Sequence, residues 1–538
     1  MKYFLFIIFI FLSGQLFAND TADIIIRHGK IIDGTGNPWF YGDVAIKNGK
    51  VISIGDLNSW QAFKVINATG LVVAPGFIDV HTHIENDEAK NPYATNFIMD
   101  GVTTVITGNC GSSHVDIKKY LSFIDSLHLS INVATLIGHN DVREAVMGDA
   151  NRAPTTEELD SMKALVAKAM RDGAVGFSTG LIYIPGTYSN TNEIVALAKV
   201  AAQYNGVYST HMRNESDSVT QAIDEALTVA KEANIPLEIS HFKVGGQQNW
   251  GRSKQTLAMV KQAREQGLDV TIDQYPYTAS STSLSTLLPD WILADNSDSI
   301  KARLQDPEIK KQAIDYMLDK LHHRKLKHFN YAVVAYYKAD TTMNGKSIEQ
   351  VNLAMHRKHK AKYEAQTVID MMLQGGAGMV FHGMSEDDVQ YIMQYPFSMF
   401  ACDASIRVFG QGVPHPRGYG TNARVLGKYV RDEKVLTLEE AIRRMTSLPA
   451  QKFHFNDRGL LLPGYAADIV VFDANTVNDL STYEKPHQYS TGFKYVLVNG
   501  NITVENGQPN ETRAGIVLYG PGVKEQANSM HAFSSSPL

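Results

Sequence analysis

Pro75-Gly76-Phe77-Ile78-Asp79-Val80-His81-Thr82-His83 places two histidines, one residue apart, at the end of an apolar strand. Side chains on a strand repeat direction every two residues, so His81 and His83 face the same way from a run whose apolar members belong inside a sheet. Folding alone does not ask for two imidazoles there. The plain alternative is a chance His-x-His in a chain with 18 histidines, each satisfied by one hydrogen bond in a core. A metal ion is the other reading, and the rest of the chain favours it.

Cys110 sits in Thr107-Gly108-Asn109-Cys110-Gly111 just after the apolar run Val102 to Ile106. His211 closes Val207-Tyr208-Ser209-Thr210, His241 closes Pro236-Leu237-Glu238-Ile239-Ser240, and Asp403 follows the run Phe397 to Cys402. Metal-type ligands thus stand at the C-terminal ends of five separate apolar segments. Active-site residues emerge at that position in a (β/α)8 barrel.

The length of 538 residues suits a large barrel with an accessory domain, and 44% apolar with 20% charged residues is ordinary for a globular chain. A net charge of -6 and the lack of a Lys/Arg stripe argue against nucleic-acid binding. Lys2, the apolar run Tyr3 to Leu12, and then Ser13, Gly14 and Ala18 have the layout of a secretory signal peptide, which predicts a secreted or periplasmic protein. The apolar core is short for a membrane span, so cleavage near Ala18 is expected and stable membrane insertion is not. Leu16 fits the small-x-small cleavage rule poorly, which leaves an uncleaved anchor as the alternative. The two cysteines, Cys110 and Cys402, form no disulfide framework. A bridge between them would abolish the metal reading.

Organisation along the chain supports an α/β fold: a (β/α)8 TIM-like metal-dependent hydrolase barrel with a small β domain built from both chain ends. Short alternating strands fill residues 21–75, and the same texture returns in Ala467 to Phe472 and Lys494 to Gly500, so residues 456–538 are expected to complete that domain. Residues 76–455 make the barrel. Its strands are predicted at 77–80, 102–106, 132–137, 174–177, 206–210, 236–240, 269–273 and 397–402, with Met379 to Phe381 as a ninth candidate. An insertion at about 284–375 belongs over the barrel mouth and is expected to cap it.

Zinc accepts thiolate and imidazole together, and a catalytic zinc keeps three protein ligands and an open position. Cys110, His211 and His241 supply that set, and His81 with His83 could hold a second ion beside it. Asp403 suits the acid-base duty of moving a proton between water and a leaving group, with a helix N-cap as its bland alternative. Lys243 would follow His241 in direction and pair with a substrate carboxylate, or else be a solvated surface lysine. Tyr183 and Tyr277 either line the pocket or pack their loops. His139, His382 and His415 lie in mouth loops without an assigned task.

These residues fall in motifs that resemble the D-aminoacylase group, the N-acyl-D-amino-acid deacylases of the amidohydrolase superfamily. The likeness covers nearly the whole chain after the signal segment. It is carried by the opening nonapeptide, Gly101-Val102-Thr103-Thr104-Val105, Gly108-Asn109-Cys110-Gly111, Ser209-Thr210-His211-Met212-Arg213-Asn214-Glu215, Ile239-Ser240-His241-Phe242-Lys243 and His415-Pro416-Arg417-Gly418-Tyr419-Gly420. Many superfamily members bridge two metals with a carboxylated lysine after the fourth strand, whereas Ala174-Val175-Gly176-Phe177-Ser178 has none and Asn-Cys-Gly is present instead.

The resemblance implies a zinc held tightly by Cys110, His211 and His241, a weaker position near His81 and His83, and Asp403 as catalytic acid/base. It implies that Lys243, Tyr183 and Tyr277 hold the substrate carboxylate, with Ser283 as a fourth member. Cys402 departs from the serine common before the aspartate in relatives. The implied reaction is hydrolysis of a small N-acyl-D-amino acid to a carboxylate and a free D-amino acid. A dipeptidase or other amidohydrolase acting on D-amino-acid-containing peptides is the competing function, and a non-catalytic binding protein on the same scaffold is a third.

Overall fold

The computed structural model describes residues 21–523, so the signal-peptide expectation at 1–18 lies outside the described residues, as do positions 524–538. Eight parallel strands surround the centre: Phe77–Asp79, Val102–Thr107, Asn132–Thr135, Gly176–Gly180, Val207–His211, Leu237–Ile239, Val270–Gln274 and Ser398–Phe400. The first three pair as one arc and the last five as another. The third strand's continuation, Ile137–Gly138, pairs with Phe177 and Ser178 and joins the arcs on one side. On the other, Thr82 bridges Ala404 in parallel, and Asp403 N donates to the His81 carbonyl at 2.9 Å. The last closure matters for chemistry because it sets His81, His83 and Asp403 side by side.

Helices cover the outside, which is why the strands are buried on both faces and read as apolar runs rather than alternating ones. Thr156–Asp172 shows how the sequence sets such a helix: Thr155 and Glu158 form a reciprocal capping box at its start, and Gly173 ends it at φ 119°. Asn190 accepts from Glu193 N to begin Thr191–Ala202 in the same way. Against the barrel, a sheet unites strands from both chain ends. Val72–Pro75 pairs antiparallel with Ile469–Phe472, and the sheet runs on to Lys50–Gly55 at one end and Gln508–Pro509 at the other.

Between the seventh and eighth barrel strands the chain builds a separate unit. It holds the strands Ala279–Ser283, Ala332–Tyr336 and Gly378–His382, in the order first, third, second, with four longer helices between Ser297 and Leu373. Leu284, Met317, Val351 and Val368 give it an apolar core of its own. The ninth strand candidate, Met379 to Phe381, therefore belongs to this cap and not to the barrel. Its run is short and apolar in either setting, and only the pairing partner distinguishes them. Among the described residues no helix is long and apolar enough to cross a membrane.

Candidate metal centre

Cys110 occupies the turn after the second barrel strand with φ 53°, in the left-handed region. Its neighbours permit the turn: a Cβ on Gly108 would overlap the Leu136 carbonyl, and one on Gly111 would overlap Asn140 Oδ1. His241 and Asp403 also have positive φ, at 35° and 48°. Three chemistry-bearing residues in a sparsely populated conformation mark a site where packing over-determines the backbone.

The geometry at Cys110 fits a tetrahedral ion. Its Sγ lies 3.6 Å from His211 Nδ1 and 3.6 Å from His241 Nε2. Ligands at about 2.3 Å (sulfur) and about 2.0–2.1 Å (nitrogen) around a tetrahedral zinc are separated by about 3.6 Å, so these side chains already stand at the required spacing. His241 Nδ1 faces Glu215 Oε1 at 2.8 Å, and donation there leaves Nε2 free to ligate. His81 Nε2 lies 3.3 Å from the same sulfur, with Nδ1 turned to Asp273 Oδ2 at 3.3 Å. His83 reaches Asp403 Oδ1 from the solvent side at 3.2 Å. His81, His83 and Cys110 converge as a second group sharing the thiol. Both cysteines are free thiols, and Cys402 N donates to Asp79 Oδ2 at 3.0 Å in the barrel interior.

The charge states agree with ligation. Burial pushes the His211 and His241 imidazoles well below their ordinary range and His81 to about 4, so all three are neutral donors at pH 7. Burial, with Asp403 and Glu215 adding to it, pushes the Cys110 thiol up. A bound cation against the sulfur reverses that penalty. Burial also opposes charge on Asp403, but the Arg417 guanidinium, a hydrogen bond from His83 and the nearby imidazoles prevail and hold the carboxyl well below the usual carboxylate range. Arg417 Nη2 is 2.9 Å from Asp403 Oδ2.

A cavity opens from this centre toward the cap, lined by Tyr183, Lys243, Tyr275, Ser281, Thr282 and Phe381 among others. Tyr183 donates or accepts at Thr282 Oγ1 at 3.1 Å and sets its ring edge-on to His211. Lys243 is at the wall, with Nζ 2.7 Å from Glu215 Oε1 and 3.0 Å from the His241 carbonyl, so it is not a solvated lysine. Two expected residues stand elsewhere. Tyr277 is buried behind the wall between His415 and the Arg424 guanidinium, and Tyr275 takes the cavity position instead, because the turn after the seventh strand reverses which tyrosine faces in. Ser283 is spent locally, with Oγ accepting from Ser285 N at 3.2 Å to start the next turn.

Arg417 was legible only as part of a motif. In the structure it is 3% exposed, its Nε and Nη1 have no hydrogen-bond partner, and its guanidinium lies 4.4 Å over the Tyr275 ring, whose hydroxyl is also unpartnered. Unsatisfied buried donors beside a cavity ask for an anionic ligand. Glu215, likewise unassigned from sequence, orients His241 and Lys243 together. His139 is spoken for by Glu193 at 2.9 Å, within a buried cluster completed by Arg143. His415 bonds the Ala279 carbonyl, and His382 lines the cavity against Tyr483.

A closed eight-stranded barrel with a cysteine and imidazoles converging at its C-terminal mouth and a carboxylate beside them defines the metal-dependent hydrolase type. The sequence match is consistent: a model of the amidohydrolase family aligns with residues 64–367 and 403–504. The chain belongs to the amidohydrolase family, within its D-aminoacylase group. It is 34% identical over 521 residues to an N-acyl-D-glutamate deacylase of Alcaligenes xylosoxydans xylosoxydans, covering 93% of this chain and 97% of that protein. Among solved structures it is similar to a D-aminoacylase, at TM-score 0.80 and 34% identity over 93% of this chain and all 100% of the other. A second, N-acyl-D-glutamate deacylase from Bordetella bronchiseptica bound to zinc and a phosphonate mimic of the tetrahedral intermediate, matches at TM-score 0.80 and 34% identity, with 93% and 100% coverage.

Proposed function

We propose that this protein is a zinc-dependent deacylase that hydrolyses N-acyl-D-amino acids to a carboxylate and a free D-amino acid. The observation that carries the reading is the meeting of two features at Asp403: Cys110, His211 and His241 at zinc spacing on one side, and on the other Arg417, 2.9 Å from Asp403, with two buried donors left for an anion. The relatives' named substrates supply the acyl-D-amino-acid class.

Cys110, His211 and His241 would hold the zinc, which when bound polarises a carbonyl and acidifies water. Asp403 is ionised, so it accepts the proton of the attacking water at a carboxylate oxygen and passes it to the departing amide nitrogen. Arg417, together with the Tyr275 hydroxyl, takes the substrate α-carboxylate, and the Tyr183 hydroxyl closes the opposite side. Lys243, tied to Glu215, contributes positive charge at the rim. Three fixed points, namely the acyl carbonyl, the α-carboxylate and the side chain under the cap, discriminate D from L, because the enantiomer must vacate one of them. We place the reaction in a secreted or periplasmic compartment on the pattern of residues 1–18.

The test is a panel of N-acetyl-D-methionine, N-acetyl-D-glutamate, their L-enantiomers and D-containing dipeptides, assayed with the zinc-loaded protein. The N-acyl-D compounds are expected to turn over at least about 100-fold faster than the L compounds. Faster turnover of the dipeptides, or of the L series, would overturn the assignment.

A further inference from the structure

The cap holds a second constellation of ligand side chains, away from the barrel mouth. His328, Glu349, His359 and Glu364 present four donor atoms that all lie within 4.8 Å of one another. His328 Nδ1 is 2.6 Å from Glu364 Oε1 and 3.6 Å from Glu349 Oε1, and Glu349 Oε1 is 2.5 Å from His359 Nε2. The two imidazole rings are stacked, with centroids 4.3 Å apart.

We propose that these four residues form a divalent transition-metal site, of zinc type, which fixes one wall of the substrate cavity. Four N and O ligands at about 2.0–2.2 Å from a tetrahedral ion sit about 3.3–3.6 Å apart, so the observed separations need shifts of only about 1 Å. Two imidazoles with two carboxylates suit zinc and its neighbours better than calcium or magnesium. Charge points the same way. Glu364 is fully buried and Glu349 is one-fifth exposed, and bringing two carboxylates this close is costly unless a cation lies between them. A single dication held by all four side chains would offset both carboxylates.

The ligands come from four separate pieces of the cap. Glu349 lies in the first turn of Ile348–Ala354, Glu364 in the first turn of Ala361–Leu373, His359 between those helices, and His328 in the loop before Ala332–Tyr336. That loop also carries Arg324 and Tyr331, both of which line the substrate cavity, with the Arg324 guanidinium 5.1 Å over the Tyr331 ring. An ion at His328 therefore staples the cavity wall to two helices. It holds the side of the pocket formed by Arg324 and Tyr331.

The experiment compares the full-length protein with E349Q and H359Q after chelation, re-titration with zinc chloride and desalting. His359 is half-exposed, so its substitution leaves the cap core intact, which melting temperature checks. The unmodified protein is expected to retain one equivalent of zinc more than either variant, and C110A to lose a different equivalent while keeping that of the cap. Zinc is also expected to slow amide hydrogen exchange across residues 324–331 in the unmodified protein and in C110A but not in H359Q. Equal zinc content in the unmodified protein and both cap variants would overturn the proposal, as would zinc-dependent protection of 324–331 that survives H359Q. Neither readout depends on which substrate the barrel site hydrolyses.

Discussion

Replacing Asp403 by asparagine separates proton transfer from metal binding. The backbone tolerates the change, since asparagine is among the few non-glycine residues at ease at a φ of 48°. The amide cannot accept the water proton, and loss of a positioned acid-base group costs about 100- to 10,000-fold, or about 3–6 kcal/mol in barrel-site chemistry at about 1.4 kcal/mol per decade. A second cost falls on stability. Arg417, 3% exposed and paired to Asp403 Oδ2 at 2.9 Å, would face a neutral group. Stranding a buried charge in this way costs about 3–5 kcal/mol, less whatever the half-open cavity returns through water. The assay is kcat and KM on an N-acyl-D-amino acid, with zinc content and melting temperature on the same preparation. Zinc at Cys110, His211 and His241 should be retained, kcat should fall by at least about 100-fold, and the melting temperature should drop. A variant that keeps its zinc and works within about threefold of the original would refute the acid-base role, since the other carboxylate lining the cavity, Glu215, is tied to Lys243 and His241.

Cys110→Ala removes the one sulfur from the barrel site and should abolish both tight zinc retention there and turnover, with the fold unchanged; metal analysis showing normal zinc at the barrel site would contradict the ligand assignment. Arg417→Met should raise KM by about 10- to 150-fold, the worth of a hydrogen bond to a charged group. The same variant should shift the acidic limb of the pH profile upward. Arg417 is a principal reason Asp403 stays ionised at low pH, so without it the carboxyl takes up its proton at a higher pH and activity is lost sooner on acidification. An unmoved acidic limb would show that Asp403 is not the titrating base. Glu193→Gln should cost about 3–5 kcal/mol, because fully buried Arg143 loses a carboxylate that it meets with both oxygens at 2.7 Å, while zinc content stays the same. Thermal unfolding with metal analysis checks this and distinguishes a structural His139 cluster from a metal one.

Much of the barrel could be read locally. Strands buried on both faces announce themselves as apolar runs, and ligands at their C-terminal ends are visible because each stands at the edge of such a run, as His211 does after Val207 to Thr210. Other features were hidden for specific reasons. Met379 to Phe381 has the composition of a barrel strand but pairs with Ala279–Ser283 in the cap, a non-local choice. Tyr275 and Tyr277 are two residues apart in one turn, and the chain's path through that turn, not its sequence, decides which faces the cavity. Ser283 could be polar toward substrate or toward its own helix start, and the latter prevailed.

The amino-acid order alone therefore determined the repeating strand and helix pattern, the ligand types and the turns that carry them, since propensity, apolar periodicity and glycine placement act over a few neighbouring residues. Tertiary structure decided the sulfur-to-nitrogen spacing at Cys110, the meeting of Asp403 with His81 and His83 across the barrel seam, the unpaired donors of Arg417, and the convergence of His328 with Glu349, His359 and Glu364. Each of these depends on closing long loops and packing separate elements together, and such distances are not encoded at any single position.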